Sequence, residues 1–240
     1  MAAIEAIDLT KRYGARTALD GLTFAAQPGE VVGLLGPNGA GKTTTIRLLT
    51  TILEPTAGTF TVGGVPGTEP DRVRRQIGVL PESAGYPGRQ TGTEYLRYAA
   101  RLFGRSRADA RAVAERLLAD VGLADRSSAR ISAYSRGMRQ RLGIARALVN
   151  EPAVVFLDEP TLGLDPAGQH EILATIGDIA GHRGATVVLS THTLSEVEQV
   201  CGTVIILDHG RLQAAGPIDE VVAGTGSLSA TFRALTEDRS

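Results

Sequence analysis

The chain has 240 residues, 25 basic and 26 acidic side chains, a formal net charge of −1 and 42% hydrophobic residues. This composition excludes a disordered chain, and the balanced charge gives no general attraction to nucleic acid or anionic lipid. The single Cys201 excludes an internal disulfide and favours a reducing compartment, and no apolar run approaches the ~20 residues that span a bilayer.

Alternating apolar residues predict β-structure in the first 35 positions. Ile4, Ala6 and Leu9 form one alternating set, and residues 17–24 form a second. Pro28-Gly29-Glu30 predicts a turn into a buried strand over residues 31–35. This part of the chain is therefore expected to be rich in strands.

A glycine-rich segment, Gly36-Pro37-Asn38-Gly39-Ala40-Gly41-Lys42-Thr43, follows that buried strand and precedes a predicted helix. In this setting successive backbone N–H groups turn inward, and the helix N-terminus adds partial positive charge. The segment predicts a phosphate-binding loop for a nucleoside triphosphate. Lys42 would contact the β- and γ-phosphates, and the Thr43 hydroxyl would take one Mg²⁺ position.

β-structure is predicted again for residues 59–62, with a tight hairpin at Gly63-Gly64. A short strand over residues 77–80 ends at Pro81-Glu82, and the Gly- and Pro-rich residues 83–91 predict a flexible connection. Further strands are therefore expected on both sides of the phosphate loop.

From Thr91 the hydrophobic period changes from two to between three and four, which indicates helices. Thr91 and Glu94 predict a capping box. The predicted apolar face of this helix consists of Tyr95, Leu96, Ala99, Leu102 and Phe103. A second helix follows around residues 113–121, and a third begins at Ser135. Residues 83–150 are therefore expected to form a helical subdomain.

The apolar run over residues 153–157 predicts a central parallel strand, and Asp158 and Glu159 follow it. Ligands of open α/β sheets bind at that end of the strands, so both carboxylates are expected near the phosphate loop. Asp165-Pro166 predicts the start of a helix.

Another buried strand, predicted over residues 186–189, leads into Ser190-Thr191-His192. Thr193 and Glu196 predict a capped short helix, and residues 203–207 predict a final strand. The polar, Gly-rich last 25 residues receive no assignment.

Two segments resemble those of the ATP-binding cassette (ABC) ATPases and occur in the order found in that family. They are Tyr-Ser-Arg-Gly-Met-Arg-Gln-Arg-Leu at 134–142 and Val-Val-Phe-Leu-Asp-Glu-Pro-Thr at 154–161. The resemblance extends from Tyr13 to Gly216. It implies an α/β fold, in which a phosphate-loop (RecA-like) core carries an antiparallel β subdomain and a helical subdomain insertion. Residues 1–82 and 151–216 would form the core with the β subdomain, 83–150 the helical subdomain, and 217–240 a C-terminal extension of a single domain.

The resemblance also implies the site residues. Binding of ATP is implied for Tyr13, Gly36, Pro37, Asn38, Gly39, Ala40, Gly41, Lys42, Thr43, Thr44, Ser135 and Gly137. Thr43, Glu82 and Asp158 would hold Mg²⁺, Glu159 would be the general base, and His192 would contact the γ-phosphate.

Simpler roles remain open for several of these residues. Tyr13 is either a platform on which an adenine stacks or a turn residue on apolar surface, and Ser135 is also explained as an ordinary helix cap. Leu164-Asp165 resembles the loop through which paired subunits of the family communicate, but a capping role explains Asp165 equally well. Asp158 and Glu159 could be a structural pair, and His192 a surface histidine.

Two residues depart from the family pattern. Glu82 stands where the family usually has glutamine, and its charge would repel a triphosphate unless a cation screens it. Arg136 replaces the first glycine of the usual Ser-Gly-Gly, and its side chain is expected to point away from the phosphate contact because Gly137 keeps the room that the backbone needs.

The implied function is the ATPase subunit of a bacterial exporter of drugs, sodium or polysaccharide. Its partners would be a second ATPase subunit, in a homodimer, and separate membrane-spanning permease subunits that meet the surface around residues 83–100. The protein would then lie in the cytoplasm at the inner face of the membrane, with no nucleic-acid partner. The alternative is a soluble ABC ATPase acting on ribosome or DNA, which the near-neutral single cassette disfavours. A phosphate-loop kinase or GTPase would leave residues 135–142 and His192 unexplained.

Overall fold

The computed structural model describes residues 1–236, which fold into two β-sheets and the helices packed around them. The strands are β1 (Ile4–Tyr13), β2 (Arg16–Ala26), β3 (Val31–Leu35), β4 (Ala57–Val62), β5 (Val65–Pro66), β6 (Ile77–Leu80), β7 (Val154–Asp158), β8 (Thr186–Thr191), β9 (Thr203–Asp208) and β10 (Arg211–Pro217).

The α-helices are α1 (Lys42–Leu49), α2 (Pro70–Gln76), α3 (Gly92–Leu102), α4 (Arg107–Asp120), α5 (Arg136–Ala147), α6 (Pro166–Arg183), α7 (Leu194–Val200), α8 (Ile218–Val222) and α9 (Leu228–Thr236). Among residues 1–236 no helix combines the length and the apolar composition that a membrane span requires.

Strand order explains how distant parts of the chain reach one site. The smaller sheet is antiparallel, with the order β2-β1-β4-β5. The larger sheet has the order β10-β9-β3-β8-β7-β6, and only β10 runs antiparallel to its neighbour. Because β3, β6, β7 and β8 are parallel, their carboxyl ends lie along one edge of the sheet. The chain enters the phosphate loop at that edge.

Both faces of the larger sheet are covered, as its continuous apolar strands predict. All residues of β3, β7 and β8 are buried. Val155 and Leu157 pack in one cluster with residues of α3 to α6, whereas Val154 and Phe156 pack in another with α1 and the antiparallel sheet. Alternate side chains of β7 therefore pack against the helical layer on one face of the sheet and against α1 and the antiparallel sheet on the other.

The helical layer lies very close to the sheet at β6. A Cβ built on Gly78 would lie 2.1 Å from the carbonyl oxygen of Ala147, near the end of α5. Only a residue without a side chain permits this approach. The C-terminal end of α5 is therefore packed against β6, and this contact fixes the helix whose N-cap is Ser135.

The residues predicted to cap three of the helices are confirmed. Thr91 and Glu94 form a complete capping box at α3, Asp165 accepts a hydrogen bond from Gly168 N at the start of α6, and Ser135 is the N-cap of α5. These motifs are local, so the sequence is sufficient to predict them.

Other predictions were wrong or incomplete. Leu102 and Phe103 were assigned to the buried face of α3 but are 69% and 46% exposed, because the core that buries Ala99 and Ala100 does not extend under the last turn. Thr193 makes no side-chain cap with Glu196, whose carboxylate bonds elsewhere. Helix α2 was not predicted. The unassigned last 25 residues contain α8 and α9, which pack on α7 and β9, and residues 237–240 of this stretch lie outside the described part of the chain.

Candidate functional site

The phosphate loop has the backbone that its glycines predict. Gly39 and Gly41 have φ values of 84° and 110°, a region that residues with a side chain rarely adopt. Helix α1 then starts at Lys42, and no side chain caps its N-terminus. Its first N–H groups and the positive end of its dipole are thus available to an anion.

The loop lines a cleft of about 450 Å³ at the carboxyl edge of the larger sheet. The predicted residues that line it are Pro37, Asn38, Gly39, Ala40, Gly41, Lys42, Thr43, Thr44, Glu82, Glu159 and His192. Gly36 lies at the entrance to the loop, where a Cβ would lie 2.3 Å from the carbonyl oxygen of Leu207 on β9. The structure therefore brings the phosphate loop together with three of the predicted side chains from β6, β7 and β8.

Glu159 connects the phosphate loop to His192. Its Oε1 lies 3.6 Å from Lys42 Nζ, and its Oε2 lies 2.9 Å from His192 Nδ1. The ammonium of Lys42 also donates to the carbonyl oxygen of Gly36 at 2.7 Å. Glu159 itself has φ of 49°, an uncommon backbone conformation that is enriched at functional sites. A carboxylate, an ammonium and an imidazole are thus in contact around one corner of the cleft.

Asp158, the last residue of β7, directly precedes Glu159 and lies close to Thr43 of the phosphate loop. Its Oδ1 accepts a hydrogen bond from Ser190 Oγ at 2.8 Å and lies 3.5 Å from Thr43 Oγ1. Glu82 reaches the same cleft from the end of β6. Hydroxyl and carboxylate oxygens fit Mg²⁺, which typically takes one or two protein carboxylates together with phosphate and water oxygens. Thr43 and Asp158 thus offer neighbouring oxygens of this kind, Glu82 lines the same cleft as Thr43, and a shared Mg²⁺ site stays a prediction.

Tyr13 lies outside the lining of the cleft. Its side chain is 47% exposed, and Lys11 Nζ lies 5.4 Å from its ring centroid. Across the hairpin it pairs with Arg16, which does line the cleft. A purine-stacking role for Tyr13 stays a prediction.

The sequence reasoning missed Arg16, Ala18 and Leu162, which complete the lining. Arg16 was detectable in principle, as a basic residue three positions after the aromatic Tyr13. Ala18 of β2 and Leu162 of the loop after β7 are apolar and belong to no motif, so no sequence pattern indicates that they lie at the cleft.

Ser135 and Gly137 were also predicted to bind nucleotide, but neither lines this cleft. Ser135 is exposed, and its Oγ accepts a hydrogen bond from Met138 N at 3.2 Å, as an N-cap does. The side chain of Arg136 lies against Gly163, so close that a Cβ there would be 2.3 Å from its guanidinium. Arg136 thus contacts the loop after β7 of its own chain, and its expected direction away from a phosphate contact stays a prediction.

Comparisons with known proteins agree with this arrangement. A family model described as ABC transporter matches residues 19–162. Nod factor export ATP-binding protein I of Paraburkholderia xenovorans is 43% identical over 92% of this chain and 73% of its own length. Daunorubicin/doxorubicin resistance ATP-binding protein DrrA of Streptomyces peucetius is 43% identical over 94% of this chain and 68% of its own length.

A solved structure described as an ATP binding subunit of an ABC transporter has the same fold. It superposes with a TM-score of 0.86 at 35% sequence identity, covering 97% of this chain and 99% of that structure. Both sheets and the helical layer are therefore shared over almost the whole chain.

Proposed function

Since this chain belongs to the ABC transporter family and hydrolyses ATP, we propose that it is the ATPase subunit of a bacterial exporter, in which two copies close around ATP and Mg²⁺. The observation that carries this proposal is the cleft in which Lys42, Glu159 and His192 meet at the phosphate loop. The two relatives are named for export and for drug resistance, which supports an exporter.

Lys42 and the N–H groups of the phosphate loop bind the triphosphate and oppose its charge. Thr43, Asp158 and Glu82 would hold Mg²⁺, which would neutralise part of the negative charge of the triphosphate. Glu159 orients the attacking water and takes its proton, and His192 positions Glu159 through the 2.9 Å contact and reaches toward the γ-phosphate. Arg16 lines the cleft and pairs across the hairpin with Tyr13, which supports a role for these two residues in binding the rest of the nucleotide.

The second half of the site comes from another copy of the chain. Ser135 and Gly137 lie at the exposed N-terminus of α5 and are not part of the cleft of their own chain. The positive end of that helix suits a γ-phosphate presented by a second subunit. The dimer would close while the γ-phosphate is present and reopen after hydrolysis, because only the triphosphate has a differential affinity for the closed state.

The partner in the membrane is a separate permease, which meets the helical subdomain. Tyr98, Leu102 and Phe103 expose apolar surface at the end of α3, beside Arg97 and Arg101. Single exposed apolar residues are common, but a group of large ones at one helix end supports a contact surface for a partner. This contact would place the protein at the cytoplasmic face of the membrane.

A mixture of two inactive variants tests the shared site. Ser135→Arg removes the γ-phosphate contact, and Lys42→Ala removes the phosphate ligand, so each variant alone should be inactive. In a mixed dimer one site combines Lys42 of one chain with Ser135 of the other, and ATPase activity should therefore reappear. If no mixing ratio restores activity, and Glu159→Gln chains stay monomeric with ATP and Mg²⁺, the shared site is wrong.

A further inference from the structure

Glu196 is a buried carboxylate outside the cleft described above. It lies in the first turn of α7 and is 4% exposed. Its Oε1 accepts a hydrogen bond from Thr161 Oγ1 at 2.7 Å, and its Oε2 accepts one from Thr191 Oγ1 at 2.7 Å. Thr161 follows Glu159 by two residues, and Thr191 directly precedes His192. One carboxylate thus bonds to both segments that carry the reacting side chains.

These bonds replace the cap that the sequence predicts for α7. A glutamate at this position usually bonds back to the N-cap residue, but Thr193 makes no side-chain cap here. Thr191 Oγ1 instead accepts a hydrogen bond from Thr193 N at 3.0 Å, so its own proton is directed to Glu196. Glu196 therefore does not form the capping box that its spacing from Thr193 predicts, and instead connects the loops that contain Thr161 and Thr191. Departures of this kind from local sequence rules are expected at functional sites.

The connection lies just beyond the point where the β-ladder stops. The paired register of β7 and β8 ends at Asp158 and Ser190, and Glu159 N donates to Ser190 O at 3.0 Å. Past that bond the two segments diverge into loops, and the carboxylate of Glu196 joins them again through Thr161 and Thr191. Bonds to an ionised acceptor are shorter and stronger than neutral ones, so this link is stiff.

Helix α7 is itself anchored against the strand that enters the phosphate loop. A Cβ built on Gly33 of β3 would lie 2.9 Å from a methyl group of Val197, the residue next to Glu196. The helix therefore cannot move away from β3 without losing this packing. Because α7 packs on β3 and Glu196 bonds to Thr161 and Thr191, the loops that contain these two threonines are held at a fixed position relative to β3.

We propose that Glu196 is a positioning residue for ATP hydrolysis. By holding Thr161 and Thr191 together, it keeps Glu159 and His192 at their 2.9 Å contact. A catalytic group displaced by about 1 Å loses up to ~100-fold in rate, while binding by the phosphate loop does not depend on it. This inference rests on the roles proposed above for Glu159 and His192.

The test compares Glu196→Gln with Glu198→Gln, which changes an exposed carboxylate of the same helix. The amide that replaces the Glu196 carboxylate is neutral and has one oxygen, so one threonine hydroxyl must turn from donor to acceptor and neither bond keeps a charged acceptor. We therefore expect kcat to fall about tenfold while the Kd for a fluorescent ATP analogue stays within about twofold. Glu198→Gln should match the unmodified protein in both. Thr161→Val should resemble Glu196→Gln, and Thr161→Ser, which keeps the hydroxyl, should restore kcat.

Melting curves in parallel give the folded fraction, so that kcat refers to folded protein. Unchanged kcat per folded molecule in Glu196→Gln and in Thr161→Val would overturn the positioning role. Glu159→Gln separates this outcome from a failure of the proposed function. If that variant abolishes turnover while Glu196→Gln does not, only the inference about Glu196 is wrong; if Glu159→Gln turns over normally, the proposed roles themselves fail.

Discussion

Lys42 Nζ and Glu159 Oε1 lie 3.6 Å apart, with side chains that are only 7% and 11% exposed. The same ammonium donates to the carbonyl oxygen of Gly36. A triphosphate in the cleft would compete with Glu159 for Lys42, because the three donors of the ammonium already face the carbonyl oxygens of Gly36 and Pro37 and the carboxylate of Glu159. If Glu159 has the role proposed above, ATP binding would therefore also release it from its ion pair with Lys42.

Replacing Glu159 with glutamine should separate binding from hydrolysis. The amide cannot take a proton from water, so turnover should fall by at least ~100-fold. ATP affinity should be retained or rise slightly, since Lys42 no longer has a competing carboxylate. Steady-state phosphate release and equilibrium binding of a fluorescent ATP analogue measure the two effects. Turnover at the unmodified rate would remove Glu159 from the mechanism.

Lys42→Ala should reduce ATP affinity at least about tenfold, because a buried charge-assisted contact to phosphate is lost. Arg47→Ala is the matched control, since it removes an exposed cation from the outer face of the same helix and should leave affinity unchanged. Isothermal titration with ATP and Mg²⁺ gives both values. Normal affinity in Lys42→Ala would contradict the assignment of the phosphate loop.

Glu82→Gln keeps a side-chain oxygen for the cation but removes a negative charge from the cleft. ATPase activity should therefore be kept, and the Mg²⁺ concentration needed for half-maximal rate should fall by about two- to fivefold, as expected for removing one partly screened charge. Glu82 lines the cleft, and its carboxylate repels the triphosphate wherever the cation does not screen it. Glu115→Gln, on the exposed face of α4, serves as the control for a change of net charge. A Mg²⁺ titration identical to that of the unmodified protein would rule out this role.

The sequence predicted the elements whose causes are local. The phosphate loop, the caps at Thr91 and Asp165 and the buried strands each depend on residues a few positions apart. Arg16 in the cleft could not be placed this way, because it depends on how the antiparallel sheet packs on the core. The role of Glu196 was missed for the same reason: its partners at 161 and 191 come from two other loops, whereas its spacing from Thr193 suggested a cap.

A stability prediction follows from the close approach of β6 and α5. Gly78→Ala should destabilise the fold by at least about 2 kcal/mol, since the new Cβ would lie 2.1 Å from the backbone oxygen of Ala147 and neither backbone can yield cheaply. Gly85→Ala is the control, because a Cβ there meets open space. Urea unfolding followed by circular dichroism measures the difference, and equal stability of the two variants would contradict the packing.

Cys201 should make the protein lose stability in alkaline solution. Burial, with a smaller effect from the carboxylate of Glu196, raises the pKa of this thiol from 9.0 to about 12. The folded chain then keeps the thiol proton at a pH where the unfolded chain releases it, so stability is unaffected below pH ~9 and falls as pH rises toward ~12, by up to ~1.4 kcal/mol per pH unit. Cys201→Ala should lack this contribution, and its melting temperature should fall less between pH 8 and pH 10 (about one unit on either side of the usual thiol pKa).

Iodoacetamide should also label the folded protein much more slowly than the urea-unfolded chain. Equal labelling rates, or parallel pH profiles for the two proteins, would show that the thiol is freely ionisable.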